Sequence, residues 1–178
     1  MYDQCNGPSS CHLVLYNPAS TACVCSRAGV MDDEGDEAYF DAYDDVGTHE
    51  LMLKDAPRMN AYCAAIEANK DFIRGRVVLD VGAGTGVLSL LAARAGAARV
   101  YAVEASGIVV ELQKIVSQNG FGDVITVLHG RAEDVELPEQ VDVCVSEWMA
   151  RLYAARRQWL HRTRVAVRCY DLATGCTH

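Results

Sequence analysis

Residues 77–86 read VVLDVGAGTG, and this stretch decides the fold class. The first five residues form an apolar run interrupted only by Asp80, which is typical of a strand buried on both faces of a sheet. The glycines that follow predict a tight turn into a helix, whose N-terminus leaves unpaired N–H groups that can face a ligand. Their spacing is G-x-G-x-G, and Val87 stands where a dinucleotide-binding fingerprint has its third glycine.

Apolar runs and amphipathic stretches alternate on both sides of this turn. Because crossover helices join parallel strands, the alternation predicts an α/β fold with a doubly wound, mostly parallel, Rossmann-like sheet. Alternating residues near the end of the chain, at 165–170, are compatible with one more strand. Strands are predicted at 77–81, 99–103, 124–128 and 141–145. Helices are predicted at 87–95, at 107–118 and at the amphipathic stretch 60–72, whose helix Pro57 can open at its first turn.

Length and composition limit the class of protein. The chain has 178 residues, 51% hydrophobic and 22% charged, which is typical of a single globular domain. No apolar run is long enough to cross a bilayer, and the first residues lack the features of a signal peptide. The net charge of −8 argues against a protein held on nucleic acid by bulk electrostatics. We therefore expect no nucleic-acid partner and no membrane partner.

The eight cysteines follow no metal-binding pattern. The chain has no CxxC pair and no histidine at zinc-finger spacing, so we predict no metal site. Without an export signal, the thiols are expected to be reduced, which suggests a nuclear or cytoplasmic protein. Cys63 and Cys144 lie in apolar stretches and are predicted to be small core residues.

Charge is distributed unevenly and suggests four segments. Residues 1–30 carry few charges and no periodicity, which predicts a disordered leader. Residues 31–56 form an acidic helical segment, with ten acids and one base among 31–55. The Rossmann-like domain occupies 57–149, and a basic, atypical tail with six arginines and one acid occupies 150–178.

Three carboxylates fall where predicted strands end. Glu104 closes the second strand, 22 residues beyond Gly82, where a carboxylate can accept hydrogen bonds from both hydroxyls of a ribose. Glu133 follows the third strand and Glu147 the fourth. One such carboxylate is commonly solvated surface, but ligands in open α/β sheets bind at the carboxyl ends of the strands. Together the three indicate a ligand site.

Seven motifs, in order between residues 38 and 149, resemble protein arginine methyltransferases. Their spacing is most similar to the type I enzymes, and in particular to the type 6 members that modify histones. The resemblance implies an enzyme that transfers a methyl group from S-adenosylmethionine to arginine guanidinium groups of proteins, including histones. The motifs are Tyr39–Tyr43, His49–Glu50, Arg58, the glycine turn, Val103–Glu104, Glu133–Pro138 and Ser146–Met149.

The resemblance also implies which residues contact the cofactor. The acidic segment 31–56 becomes a lid, whose aromatic side chains close over S-adenosylmethionine. Arg58 pairs with the methionine carboxylate, and Glu104 holds the ribose. The backbone of Ala132 and the side chain of Glu133 bind the adenine. The full set is Phe40, Tyr43, His49, Arg58, Asp80, Gly82, Gly84, Glu104, Ala132 and Glu133.

The resemblance assigns catalysis to a pair of glutamates that clamp the guanidinium of the substrate. Glu147 matches the first glutamate. The second is expected nine residues later, where the chain has Arg156, and no Asp or Glu lies between Trp148 and Tyr170. We therefore expect a chain truncated after the Ser146–Met149 motif, without the β-barrel and dimerisation arm of the family, and impaired in methyl transfer.

Two alternatives to an active enzyme stay open at this point. One is a catalytically silent module that binds S-adenosylmethionine or a partner protein. The other is a truncated product without a settled role. For the enzyme, the expected partners are arginine-containing proteins, and the homodimer of the family is not expected here.

Overall fold

The structure is a computed structural model, and it describes residues 12–15, 44–148 and 168–171. The helices are α1 (Val46–Lys54), α2 (Ala56–Ala68), α3 (Lys70–Ile73), α4 (Val87–Arg94) and α5 (Val109–Gln118). The strands are β1 (His12–Leu15), β2 (Val77–Val81), β3 (Arg99–Glu104), β4 (Ile125–His129), β5 (Val143–Trp148) and β6 (Arg168–Asp171).

One sheet holds all six strands, in the order β4-β3-β2-β5-β1-β6. β2 pairs in parallel with β3 on one side and with β5 on the other, and β4 extends the parallel part beyond β3. The chain thus leaves β2 in one direction and returns to its opposite side for β5. This reversal of strand order is the position at which open α/β sheets bind ligands. The predicted fold class, a doubly wound and mostly parallel sheet, is confirmed.

The antiparallel strands β1 and β6 complete the sheet beyond β5. β1 pairs with β5, and β6 pairs with β1. We predicted a disordered leader at 1–30, and its residues 12–15 instead form β1, because β5 offers them an open edge of backbone donors and acceptors. The strand suggested at 165–170 is present at Arg168–Asp171. The rest of the leader and of the tail lies outside the described residues.

The helix predicted to open at Pro57, with its amphipathic stretch at 60–72, begins at Ala56 and is divided in two. Asp55 accepts a hydrogen bond from the backbone N–H of Arg58, and Pro57 occupies the first turn, so α2 begins at Ala56. Asn69 ends it by donating from Nδ2 to the carbonyl of Ala65, at 2.8 Å, and α3 follows. The other predicted helices and strands agree with the structure to within three residues at each end.

Each face of the sheet has its own apolar cluster. Along β2, Val78 belongs to the cluster under α2, α4 and α5, whereas Val77, Leu79 and Val81 belong to the cluster on the other face. On that second face the crossover from β4 to β5 contributes Ala132, Val135 and Leu137, whereas the crossovers on the first face are helical. None of the described helices combines the length and apolar character that crossing a membrane requires.

The two cysteines predicted for the core have different environments. Cys144 is buried in β5, as predicted. Cys63 is exposed on α2, and its prediction was wrong. Tyr62, Ala65 and Ile66 are the buried residues of that helix, and helical geometry turns the position after Tyr62 towards solvent.

A charged group ties the start of β3 to the loop before β5. Glu139 pairs with the guanidinium of Arg99 and accepts a hydrogen bond from the Tyr101 hydroxyl at 2.8 Å. The bond from Arg99 holds the pKa of Glu139 below its ordinary value, and the bond from Tyr101 adds to this effect. Desolvation, followed by the bond to Glu139, raises the pKa of Tyr101. This group lies at the opposite end of β3 from Glu104.

Candidate functional site

The glycine turn after β2 has a backbone conformation that favours glycine at three positions. Gly82, Gly84 and Gly86 have φ values of 71°, 54° and 85°. Gly86 also lies against α5, where a β-carbon would come within 2.4 Å of Leu112 Cδ1. The N–H groups of Gly82 and Ala83 donate to the carbonyl of Val103, so the turn is fixed to the end of β3. The sequence motif therefore builds a rigid turn at the reversal of strand order.

Glu104 is oriented by two backbone donors. Its Oε2 accepts from Gly84 N–H at 2.7 Å, and its Oε1 accepts from Ser106 N–H at 2.8 Å. The residue as a whole is 7% exposed. A carboxylate has about four acceptor positions, so two such bonds leave capacity for the paired hydroxyls of a ribose. The structure thus places Glu104 directly beside the glycine turn.

His49 packs α1 against the same turn. A β-carbon on Gly84 would lie 3.0 Å from His49 Cε1 and 3.2 Å from its Nδ1. His49 as a whole is 5% exposed. Only a residue without a side chain lets the ring approach so closely. His49, predicted as a residue that lines the pocket, is therefore held at the glycine turn.

Arg58 and Glu147 form an ion pair. Arg58 Nη1 lies 3.3 Å from Glu147 Oε1, and the two side chains are 13% and 23% exposed. Arg58 Nε also lies 3.6 Å from Asp55 Oδ2. The residue predicted to bind the cofactor carboxylate and the residue predicted to bind the substrate are thus in direct contact. Sequence patterns did not predict this contact.

Asp80 lies beneath the turn. It is fully buried, and its Oδ2 accepts a hydrogen bond from the Ser89 hydroxyl at 2.7 Å. This bond joins β2 to α4 across the glycines. In the structure Asp80 supports the glycine turn, and its role in binding the cofactor stays a prediction.

The residues predicted at the adenine lie in the loop after β4. Gly130 N–H donates to the carbonyl of Glu104 at 2.9 Å, which joins the start of this loop to the site. Ala132 packs against the second apolar cluster. Glu133 Oε1 lies 3.7 Å from Arg131 Nε, and both side chains are about one-third exposed. The adenine contact itself stays a prediction.

Phe40 and Tyr43, the predicted aromatic residues of the lid, lie outside the described residues. The described chain resumes at Asp44, whose Oδ1 accepts from Gly107 N–H at 2.5 Å. Gly107 belongs to the loop between β3 and α5 and directly follows the buried Ser106. This bond brings the start of α1 to the rim of the site.

Sequence reasoning missed two residues that organise this site. Asp55 ends α1, where its N–H donates to the carbonyl of Met52, and begins α2 through its side chain. Its position before Ala56-Pro57 is an N-cap signal that could have found it. Ser106 is a neighbour of Glu104 that no spacing rule selects. Its hydroxyl is buried and has no hydrogen-bond partner within the part of the chain that the structure describes.

Sequence comparisons identify similar proteins. Residues 78–169 match the family model described as "Methyltransferase domain". The chain is 59% identical over 114 residues to the probable protein arginine N-methyltransferase 6.2 of Oryza sativa subsp. indica, covering 64% of this chain and 29% of the relative. It is 55% identical over 114 residues to protein arginine N-methyltransferase 6 of Danio rerio, covering 64% and 33%. The chain spans about a third of the length of the curated relatives it matches.

Solved structures of protein arginine methyltransferases are also similar to this chain. Arabidopsis thaliana protein arginine methyltransferase 10, in an open conformation, is similar with a TM-score of 0.68 and 37% identity, covering 70% of this chain and 38% of that one. The PRMT1 enzyme–prozyme heterotetrameric complex of Trypanosoma brucei with AdoHcy has a TM-score of 0.59 and 46% identity, covering 61% and 34%.

Proposed function

The chain belongs to the methyltransferase-domain family and is similar to protein arginine N-methyltransferases, and we propose that it transfers a methyl group from S-adenosylmethionine to arginine in a protein substrate. The observation that carries the proposal is the cluster of His49, Gly84 and Glu104 at the reversal of strand order, with Arg58 and Glu147 in contact beside β5. Histone-like proteins are the proposed substrates, and the nucleus or cytoplasm is the proposed location.

The polar groups of the site match the chemical groups of S-adenosylmethionine. Glu104 offers a fixed carboxylate to the ribose hydroxyls, and the backbone at Gly82 and Gly84 is open to close approach by a ligand. Arg58 offers a guanidinium to an α-carboxylate, a charge-assisted contact that can be bidentate. Glu133, a half-buried acceptor, is the proposed contact for the adenine amino group.

Glu147 is the proposed catalytic residue. S-adenosylmethionine supplies a methyl group on a sulfonium, and a guanidinium nitrogen is the nucleophile. Free arginine is protonated at neutral pH, with a pKa of about 13. A carboxylate that accepts hydrogen bonds from one edge of the guanidinium would draw the positive charge to that edge and leave electron density on the other terminal nitrogen. That nitrogen would take the methyl group as the sulfur–carbon bond breaks, the sulfur would leave as a neutral thioether, and the nitrogen would give up one N–H proton. Glu147 stands at the end of β5 with the exposure and charge for this task.

The proposed transfer is slow. The resemblance calls for a second glutamate at position 156, and Arg156 has the opposite charge. Loss of one side of a charge clamp reduces the rate by roughly 100-fold or more. The same observation favours a second candidate, a module that binds S-adenosylmethionine without methyl transfer.

Methyl transfer to a pair of peptides tests the proposal. One peptide is a histone-tail sequence with a single arginine, and the other has lysine at that position. We expect slow transfer of labelled methyl to the arginine peptide, loss of this transfer in Glu147→Gln, and no change in Glu111→Gln. Glu111 is a matched control because its carboxylate, paired with Lys114, lies on the surface of α5.

Each outcome of this assay selects one reading. Transfer to the lysine peptide, or equal rates in wild type and Glu147→Gln, would contradict the arginine-methyltransferase proposal. Cofactor binding without any transfer would select the silent module.

A further inference from the structure

The contact between Arg58 and Glu147 joins two functions that the proposal assigns separately. Arg58 is the proposed partner of the cofactor carboxylate, and Glu147 is the proposed partner of the substrate guanidinium. In the structure their side chains are 3.3 Å apart and mostly shielded from solvent. A charge in such a setting keeps much of its Coulomb interaction, because water screens it little.

Arg58 faces two carboxylates within the part of the chain that the structure describes. Asp55 and Glu147 both face its guanidinium, at 3.6 Å and 3.3 Å. The three side chains therefore carry a net charge of about −1 at neutral pH. A third carboxylate that binds Arg58 must share one cation with two anions already in place. Like charges at such distances disfavour one another.

We propose that Arg58 is a shared counter-ion, for which Glu147 and the cofactor carboxylate compete. This inference rests on the proposed function of the site. Competition has a direct consequence for the reaction. When Arg58 pairs with the cofactor carboxylate, its ion pair with Glu147 weakens. The guanidinium of the incoming substrate then takes the place of Arg58 beside Glu147. Cofactor binding thereby raises the affinity of Glu147 for a cation.

Asp55 has the matching task of keeping Arg58 in reach of both anions. It holds the Arg58 backbone through its Oδ1 and faces the Arg58 side chain through its Oδ2. The guanidinium can then change partner with a rotation of its terminal bonds, while its helix stays in place.

A four-part binding experiment tests the competition. The dissociation constants of S-adenosylhomocysteine and of its decarboxylated analogue, which keeps the amine, are measured by calorimetry for the wild-type chain and for Glu147→Gln. We expect Glu147→Gln to bind S-adenosylhomocysteine at least about fivefold more tightly, because the competing anion is gone. The affinity of the decarboxylated analogue should change by less than about twofold, because that ligand has no carboxylate to pair with Arg58.

The outcomes separate this inference from the proposed function. If the wild-type chain binds S-adenosylhomocysteine but Glu147→Gln binds it equally or more weakly, the competition is refuted and the proposed function stands. An equal gain for both ligands would also refute it, since the gain would not depend on the carboxylate. If the folded wild-type chain binds neither ligand, the proposed function itself fails.

A second variant guards against misfolding of the first. Glu147→Asp keeps the charge but withdraws the carboxylate by one methylene, so it should give a smaller gain in the same direction. Circular dichroism of each variant establishes that the fold is retained. A weaker affinity in both folded variants would assign the pair a structural role only.

Discussion

Gly84 shows how much one residue decides in this site. Its N–H orients Glu104, its missing side chain admits His49, and its φ of 54° suits glycine. The sequence pattern predicted that the glycines would let a ligand approach the backbone. It could not predict His49 as the neighbour, because that contact joins residues 35 positions apart through the packing of α1.

Substitution of Gly84 by alanine should affect both stability and binding. The left-handed backbone conformation costs about 1 to 2 kcal/mol for an L-residue, and the new β-carbon displaces the imidazole of His49. We expect the free energy of unfolding to fall by about that amount and the affinity for S-adenosylhomocysteine to fall as well. Urea unfolding and calorimetry measure the two effects.

Two other glycines provide matched controls for this substitution. Gly75 has φ of 71° with open space where a β-carbon would stand, so Gly75→Ala reports the backbone cost alone. Gly122 has neither a left-handed φ nor a close neighbour, so Gly122→Ala should be almost neutral. Equal effects of Gly84→Ala and Gly75→Ala on both measurements would contradict the contact with His49.

At the scale of elements, the site depends on residues that connect one helix or strand to another. Asp55 ends one helix and begins the next, and it fixes the side chain of Arg58. The sequence located the strands well because buried parallel strands are continuous apolar runs. It predicted that a helix opens at Pro57, one residue after the start of α2 at Ala56, but not that this helix ends at Asn69. It predicted no strand at 12–15, because β1 forms through pairing with a distant strand.

Glu139, which ties β3 to the loop before β5 through Arg99 and Tyr101, should make the free energy of unfolding depend on pH in the acid range. The hydrogen bond from Arg99, then that from Tyr101, lowers the pKa of Glu139 in the folded chain from its ordinary value of 4.5. A carboxylate with a lowered folded pKa stabilises the fold above its unfolded pKa, and this contribution is lost as the pH falls through the folded value.

The free energy of unfolding of Glu139→Gln, measured across pH, tests this interaction. We expect the wild-type chain to be more stable than Glu139→Gln at pH 7, and the difference to shrink as the pH falls below about 4.5. Glu136→Gln, an exposed carboxylate of the same loop, is the control. If the difference in free energy of unfolding between the wild type and Glu139→Gln did not shrink at acid pH, an ionised Glu139 would not be the source of the stabilisation.

At the scale of the whole molecule, the described residues hold a methyltransferase fold with a site at its strand reversal. The carboxylates Glu104 and Glu147 could be located from the sequence because strand ends meet at one edge of a parallel sheet. The ion pair between Arg58 and Glu147 could not, because it depends on where α2 packs against β5. The roles of Phe40 and Tyr43 stay predictions, since both lie outside the described residues.

The capacity of this chain to bind the cofactor is the central claim, and one titration tests it most directly. Purified chain is titrated calorimetrically with S-adenosylhomocysteine, with Glu104→Ala and Glu111→Ala as the site variant and its control. We predict micromolar binding by the wild type and by Glu111→Ala, and loss of binding in Glu104→Ala, because the ribose hydroxyls then lose their acceptor. A folded wild-type chain that does not bind, or a Glu104→Ala variant that binds equally well, would contradict the account.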